Sequence, residues 1–182
     1  LATNRRAFLV FGPERTGTKF VTALLIAGGC AGEAVHHQAF DVENFPNEGP
    51  IVFRRSFPHG HLFKWPDIGA IKRRLVRAGR KEIFAVVTVR DAYATKASQV
   101  RTRRVTHLAQ AERRIQWAYT RIFHGLHQHQ INCAVVTYES LVGNPAAVHC
   151  LLDRLGLTFS WDRFPRDVVV NGNYRYYLDA EK

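Results

Sequence analysis

The sequence predicts a single α/β domain, a parallel sheet flanked by helices. Three observations predict it. Short apolar runs without polar alternation, "AFLVF" and "EIFAVVTV", read as strands buried on both faces, the habit of parallel sheets. Stretches with helical apolar spacing separate such runs, so strands and helices alternate along the chain. The 182 residues suit one hydrophobic core, and no repeat or low-complexity segment divides them.

Taken in order, Ala7–Phe11 is the first strand. The loop "GPERTGTK" follows it. A helix then runs from about Gly17 to Ala27, with Phe20, Leu24 and Leu25 at helical spacing and Gly28-Gly29 as its stop. Residues 30–50 read as irregular, punctuated by Pro46, Gly49 and Pro50. "IVFRRS" is the second strand and "FPHGHLFKWPD" a loop. Asp67 is placed to cap a helix ending at Gly79, on which Ile68, Ile71 and Leu75 share a face. "EIFAVVTV" is the third strand and runs directly into Arg90 and Asp91. A helix from near Ala92 covers Ser98. A long helix follows, from about Thr106 to His127, with an apolar stripe of Leu108, Ala111, Ile115, Ala118, Tyr119, Ile122 and Leu126. "NCAVVTY" reads as a fourth buried strand. Asn144 as cap, Pro145 in the first turn and Gly156 as the stop delimit a last helix.

Composition narrows the function classes. The hydrophobic fraction of 46% and charged fraction of 23% are those of a soluble globular protein. No apolar run is long enough to span a bilayer. Twenty-six Lys and Arg against fifteen Asp and Glu give a net charge of +11, which implies a polyanionic ligand, a nucleic acid or an anionic surface. Surplus charge that serves only solubility fits the same number. Cys30, Cys133 and Cys150 are distant and form no C-x-x-C, so neither a zinc ribbon nor a dithiol redox site is supported. Buried thiols in a reducing, cytoplasmic compartment are expected. The chain starts at Leu1 and contains no methionine, so a processed or trimmed N-terminus is expected, with a removed targeting segment or anchor left open.

The loop carries the chemistry. ATP-binding loops read G-x-x-x-x-G-K-[ST]. Here Gly12 and Gly17 keep that spacing, but Thr18 precedes Lys19, and Arg15 sits inside the loop. The glycines let the backbone approach an anion. Amides at the start of the helix point inward, with the positive end of its dipole behind them. Thr16 and Thr18 offer hydroxyls, Arg15 a bidentate guanidinium and Lys19 a point charge. A glycine turn that merely opens a helix is the bland alternative, and the strand–loop–helix context weighs against it. A magnesium-dependent ATPase would place its lysine directly after the second glycine, and a strand ending in a metal-binding aspartate nearby. Here Arg90 precedes Asp91, and a cation there attracts a second phosphate and repels magnesium. No metal is expected.

These residues resemble a known family. "FGPERTGTKFVTALL" is similar to the 5′-phosphosulfate loop of sulfotransferases that use 3′-phosphoadenylyl sulfate (PAPS), in which Lys or Arg precedes a Ser/Thr-Gly-Thr core. "VVTVRDAYATKASQV" is similar to their second signature, a strand ending in Arg with a Ser eight residues on, here Arg90 and Ser98. "VVTYESLVGNPAAVHCLLDRLGL" resembles their Tyr-Glu-x-Leu segment and the helix after it. The three occur in family order and cover most of Phe8 to Leu157. The resemblance implies a P-loop fold of the sulfotransferase type. It implies that Arg15, Thr16, Gly17, Thr18 and Lys19, with Gly12 shaping the turn, bind the 5′-phosphate. Arg90 and Ser98 would bind the 3′-phosphate. The reaction implied is sulfuryl transfer from PAPS to a hydroxyl or amine, releasing adenosine 3′,5′-bisphosphate. The chain departs from the family in being short and in lacking the glycine- and lysine-rich C-terminal segment of the cytosolic branch. "NGNYRYY" is the candidate substitute, with Tyr174 or Tyr176 stacking on adenine and Arg175 near a phosphate; ordinary packing is the competing role.

In-line transfer needs positive groups on the leaving phosphate, the task of Arg15 and Lys19, and a base for the acceptor proton. The family's base commonly follows the second strand, which favours His59 and keeps His61 as an alternative. Overlaying the family's Lys-Thr-His-Leu-Pro on Arg54 to Pro58 instead puts Ser56 at the histidine, with Arg55 facing the sulfonate or substrate. Glu14, His36 and His37 are further candidates. His124, His127 and His129 lie near a helix end without a carboxylate or thiol close in sequence, and suit its dipole better than zinc. "VRTRRVTH" suits an acidic acceptor or a solvated connection equally. The expected acceptor is a small molecule or carbohydrate, one with an anionic group fitting the basic run. No specific nucleic acid is expected, since aromatic residues do not interleave the basic ones. The rivals are an ATP-dependent nucleotide or small-molecule kinase, and a non-catalytic polyanion-binding module.

Overall fold

The computed structural model describes residues 5–32, 45–58 and 64–165. Its centre is a four-stranded, all-parallel sheet in the order β2-β1-β3-β4. The strands are β1 (Arg6–Pro13), β2 (Ile51–Phe57), β3 (Glu82–Val89) and β4 (Asn132–Thr137). The helices are α1 (Thr18–Ala27), α2 (Ile68–Arg77), α3 (Ala92–Arg101), α4 (Leu108–Gln128), α5 (Tyr138–Gly143) and α6 (Pro145–Arg154).

The position of β1 explains its composition. It lies between β2 and β3, so both of its edges are hydrogen-bonded, and helices cover both of its faces. Phe8 and Val10 enter one core with Phe20, Val21 and Leu24 of α1 and Leu151 and Leu152 of α6. Ala7, Leu9 and Phe11 enter the opposite core, with Ile71 and Leu75 of α2 and Ala118, Ile122 and Leu126 of α4. An unbroken apolar run is what a strand buried on both sides requires.

Caps mark where most helices start. Asp67 accepts from the Ala70 amide, Asp91 from Ala94, His107 from Gln110 and Asn144 from Ala146. Each such cap is typically worth ~1 kcal/mol. α1 differs: its N-cap is Gly17, which brings no side chain to its first amides.

Three expectations need correction. β4 is not a buried strand. It is the edge of the sheet among the described residues, and Val135 is 54% exposed. Its valines satisfy β-propensity, and the apolar run carries no signal of which strand lies outermost. Leu108, assigned to the stripe of α4, is largely exposed because it lies in the first turn, ahead of the buried Ala111, Ala118, Ile122 and Leu126. The thiols are not uniformly buried. Cys30 is, and burial pushes it up to about 12, whereas Cys133 and Cys150 are exposed. No helix among the described residues is long and apolar enough to cross a membrane.

Candidate functional site

The site lies at the carboxyl ends of the parallel strands, where β1 leads through Gly12–Gly17 into α1. The chain proceeds from β1 to β2 on one side and reaches β3 and β4 on the other. Open parallel sheets bind ligands at such reversals of strand order.

Both loop glycines are dictated by close approach. A Cβ on Gly12 would lie 2.2 Å from Thr88 Oγ1 and 2.5 Å from Thr16 Oγ1. Gly17 has φ 91°, and a Cβ there would lie 2.4 Å from Cδ2 of Tyr138. Arg15 also takes a left-handed conformation, φ 73°, which costs a residue with a side chain ~1–2 kcal/mol. A backbone strained at one residue and crowded at two glycines holds a defined shape.

Thr16 supports that shape from inside. Its hydroxyl donates to the Pro13 carbonyl at 2.8 Å and lies 2.8 Å from Thr88 Oγ1, while its amide also bonds Pro13 O at 3.3 Å. Both of its donors make bonds within the protein, so Thr16 helps shape the turn. Thr18 opens α1 and is buried; its carbonyl accepts from Thr22 Oγ1 at 2.8 Å. Arg15 and Lys19 are exposed.

The second motif converges on the first. Arg90 Nη1 donates to the Arg15 carbonyl at 2.9 Å, and its guanidinium lies over the Tyr138 ring, 4.9 Å from the centroid. The same ring abuts Gly17 and packs edge-on against Phe20 of α1, centroids 5.7 Å apart. Glu139 Oε1 accepts the Asp91 amide at 3.0 Å. The Tyr138–Glu139 pair thus clamps both the loop and the end of β3. Ser98 is buried on α3, and its neighbour Gln99 donates to the Glu14 carbonyl at 2.9 Å, which holds α3 against the loop. Loop, strand end and Tyr138 segment, separate in sequence, meet at one place.

Sequence reasoning missed the weight of Arg54. It occupies an inward position on β2, paired in register with Val10 and on the same strand face as Val52, and is only 7% exposed. Among the described residues its Nε has no hydrogen-bond partner, and burial lowers its pKa. Lys19, though exposed, is also held below the usual lysine value, first by the partial desolvation of its amine, then by Arg54 and Arg15. Arg55 is lowered by burial and by Arg54; its guanidinium stacks 4.2 Å from the Phe53 centroid and donates to the Arg54 carbonyl. A buried charge without a counterion is costly, and cations that depress one another favour an added anion. The available signal was an arginine at a strand position where the pattern calls for an apolar residue.

Other candidates fare differently. Asp91 Oδ1 caps α3, accepting from Ala94 at 2.7 Å. Glu14 is buried, and its Oε1 lies 3.9 Å from Arg104 Nε. Ser56 is buried opposite Gly12. His36, His37, His59, His61, Tyr174, Arg175 and Tyr176 lie outside the described residues. Among the described residues no group of three or more His, Cys, Asp or Glu is placed to hold a metal ion.

The arrangement is suited to hold an anion against uncapped α1 amides and Lys19, with a second cation, Arg90, fixed to the same loop. Comparison with known protein families and with characterised proteins returned no match to this chain.

Proposed function

We propose that this protein is a sulfotransferase of the P-loop type, which moves a sulfuryl group from PAPS to a hydroxyl or amine acceptor. The observation that carries the reading is the convergence of two basic motifs on one loop. Arg90 reaches the Arg15 carbonyl, so a cation suited to a second phosphate stands beside the loop suited to the first. Arg54 supports it, since a buried guanidinium beside Lys19 suits a ligand with concentrated negative charge. The use of Asp91 as a helix cap weighs against the magnesium-dependent kinase alternative.

In this reading Lys19, Arg15 and the amides of α1 hold the 5′-phosphate and stabilise the charge it gains as the sulfur–oxygen bond to it breaks. Arg54 lies on the face of β2 toward α1 and serves the same charge. Arg90 and Ser98 hold the 3′-phosphate. The new sulfur–oxygen or sulfur–nitrogen bond forms at the acceptor, whose proton passes to a base. We assign that base to His59, which follows β2 by two residues. The acceptor is a small molecule or carbohydrate.

Calorimetric titration with adenosine 3′,5′-bisphosphate, beside ATP with magnesium, tests the reading. Metal-independent binding of the bisphosphate, lost in Arg90→Ala, is expected. Binding of ATP with magnesium alone would overturn it.

A further inference from the structure

Glu14 is the one acid inside a loop otherwise built to hold anions, and it is 8% exposed. A carboxylate there works against an anionic ligand unless it is compensated, so its surroundings call for explanation. The backbone carbonyl of Glu14 accepts from Gln99 Nε2 of α3 at 2.9 Å, in a contact that is itself buried. Its carboxylate lies 3.9 Å from Arg104 Nε. Arg114 of α4 donates to the Arg104 carbonyl at 2.7 Å, and the Glu14 charge raises the Arg114 pKa against the lowering effect of burial. The amide of Arg104 in turn bonds the Gln99 carbonyl at 2.9 Å. The connection from α3 to α4, with Arg103 in a left-handed conformation at φ 54°, is thereby fastened to the back of the loop.

Ordinary stability is a poor account of this arrangement. Gln99 is 1% exposed, and among the described residues its Oε1 has no hydrogen-bond partner; Thr95 Oγ1, one turn earlier on α3, has none either. Buried polar atoms left unsatisfied are destabilising, and an apolar residue at position 99 would pack without that cost. What glutamine provides is a grip on the carbonyl immediately before Arg15.

We propose that Glu14 is a positioning residue that locks the anion loop and the basic Arg101–Arg104 turn into one unit, through Gln99 on its carbonyl and Arg104 on its carboxylate. This deepens the proposed function and rests on the loop being the anion site. Arg104 and Arg114 neutralise Glu14 from behind, which leaves the positive charge of Arg15 and Lys19 facing the ligand. The basic turn beyond α3 keeps a fixed place relative to the donor loop.

Hydrogen exchange on the ligand-free protein tests the coupling without reference to any ligand. The Thr16 amide, bonded to Pro13, reports the loop; the Arg104 amide, bonded to Gln99, reports the turn; the Leu157 amide, bonded to Leu152, reports the remote core. In Glu14→Gln and in Gln99→Met, which keeps the bulk, Thr16 and Arg104 are expected to exchange about tenfold faster together, with Leu157 unchanged. Arg104→Gln is expected to match Glu14→Gln, and the double variant to be no worse than either single one. Equal acceleration of all three amides, acceleration of one reporter without the other, or additive effects of Glu14→Gln and Arg104→Gln would overturn the proposal. Titration with adenosine 3′,5′-bisphosphate separates the two readings. If the reporters move as expected but the unmodified protein does not bind the bisphosphate, the coupling stands and the proposed function fails. If the bisphosphate binds and the reporters do not move together, the proposed function stands and the coupling fails.

Discussion

Arg54→Met should make the ligand-free protein more stable and its anion site weaker. The residue is 7% exposed, its Nε is unbonded among the described residues, and Lys19 adds like charge beside it. Methionine has similar reach and no charge to desolvate. Relief of an unsatisfied buried polar group is worth about 1–3 kcal/mol, and replacing buried charge by packed apolar atoms often stabilises by a similar amount. A gain near the middle of that range raises the melting temperature by about 4–8 °C for a chain of this size. A lost hydrogen bond to a charged partner costs about 1.5–3 kcal/mol, which weakens binding roughly 10- to 150-fold. Thermal unfolding without ligand and calorimetry with adenosine 3′,5′-bisphosphate read the two effects separately. The reasoning fails if the variant melts lower and binds as before, because Arg54 would then be a structural strut.

Four further outcomes follow from the same geometry. Lys19 is held below the usual lysine value, and a bound anion raises it again, so binding should take up a proton and weaken as pH rises through the free-protein pKa; Lys19→Met should flatten that dependence in calorimetry at several pH values. The sign for stability is opposite: charged Lys19 opposes folding, and that cost is relieved as pH rises from the folded pKa toward the ordinary lysine value of 10.5, a gain that Lys19→Met should remove from alkaline melts. Gly17→Ala should destabilise by about 2–5 kcal/mol, since left-handed strain adds to overlap with the Tyr138 ring, whereas Gly49→Ala, with φ 76° and open space, should cost only about 1–2 kcal/mol; equal losses in denaturant melts would remove Tyr138 from the explanation. Asp91→Asn should keep both melting temperature and bisphosphate affinity, because asparagine caps as well as aspartate, and a collapse of binding would give Asp91 a direct role at the ligand.

The fold was legible where a residue pattern has one physical solution. Glu82–Val89 is a strand at the residues expected, because eight residues rich in valine between charges have little alternative. The caps Asp67 and Asn144 lie where a short polar side chain precedes an apolar helix. The edge position of β4 was not legible, because lateral order in a sheet depends on crossovers and not on the strand's own composition. At the site, the glycine spacing and Arg90 could be read directly. The inward turn of Thr16 could not, since it depends on Thr88, seventy-two residues away in sequence. Arg54 was visible as an anomaly, but its meaning needed the neighbouring Lys19.

The bond from Arg90 to the Arg15 carbonyl sets a separation as well as a contact. Two cationic clusters tied by one hydrogen bond and a shared tyrosine ring act as the jaws of a calliper. A ligand whose two anionic groups are joined by a rigid scaffold of matching span closes both jaws, and its second contact is intramolecular once the first has formed. Either group alone forfeits that gain, and so does a scaffold of the wrong span. On the proposed function, the site is expected to select by the distance between charges as well as by charge, and a 3′,5′-bisphosphate and its 2′,5′ isomer, alike in composition, would present it with different lengths.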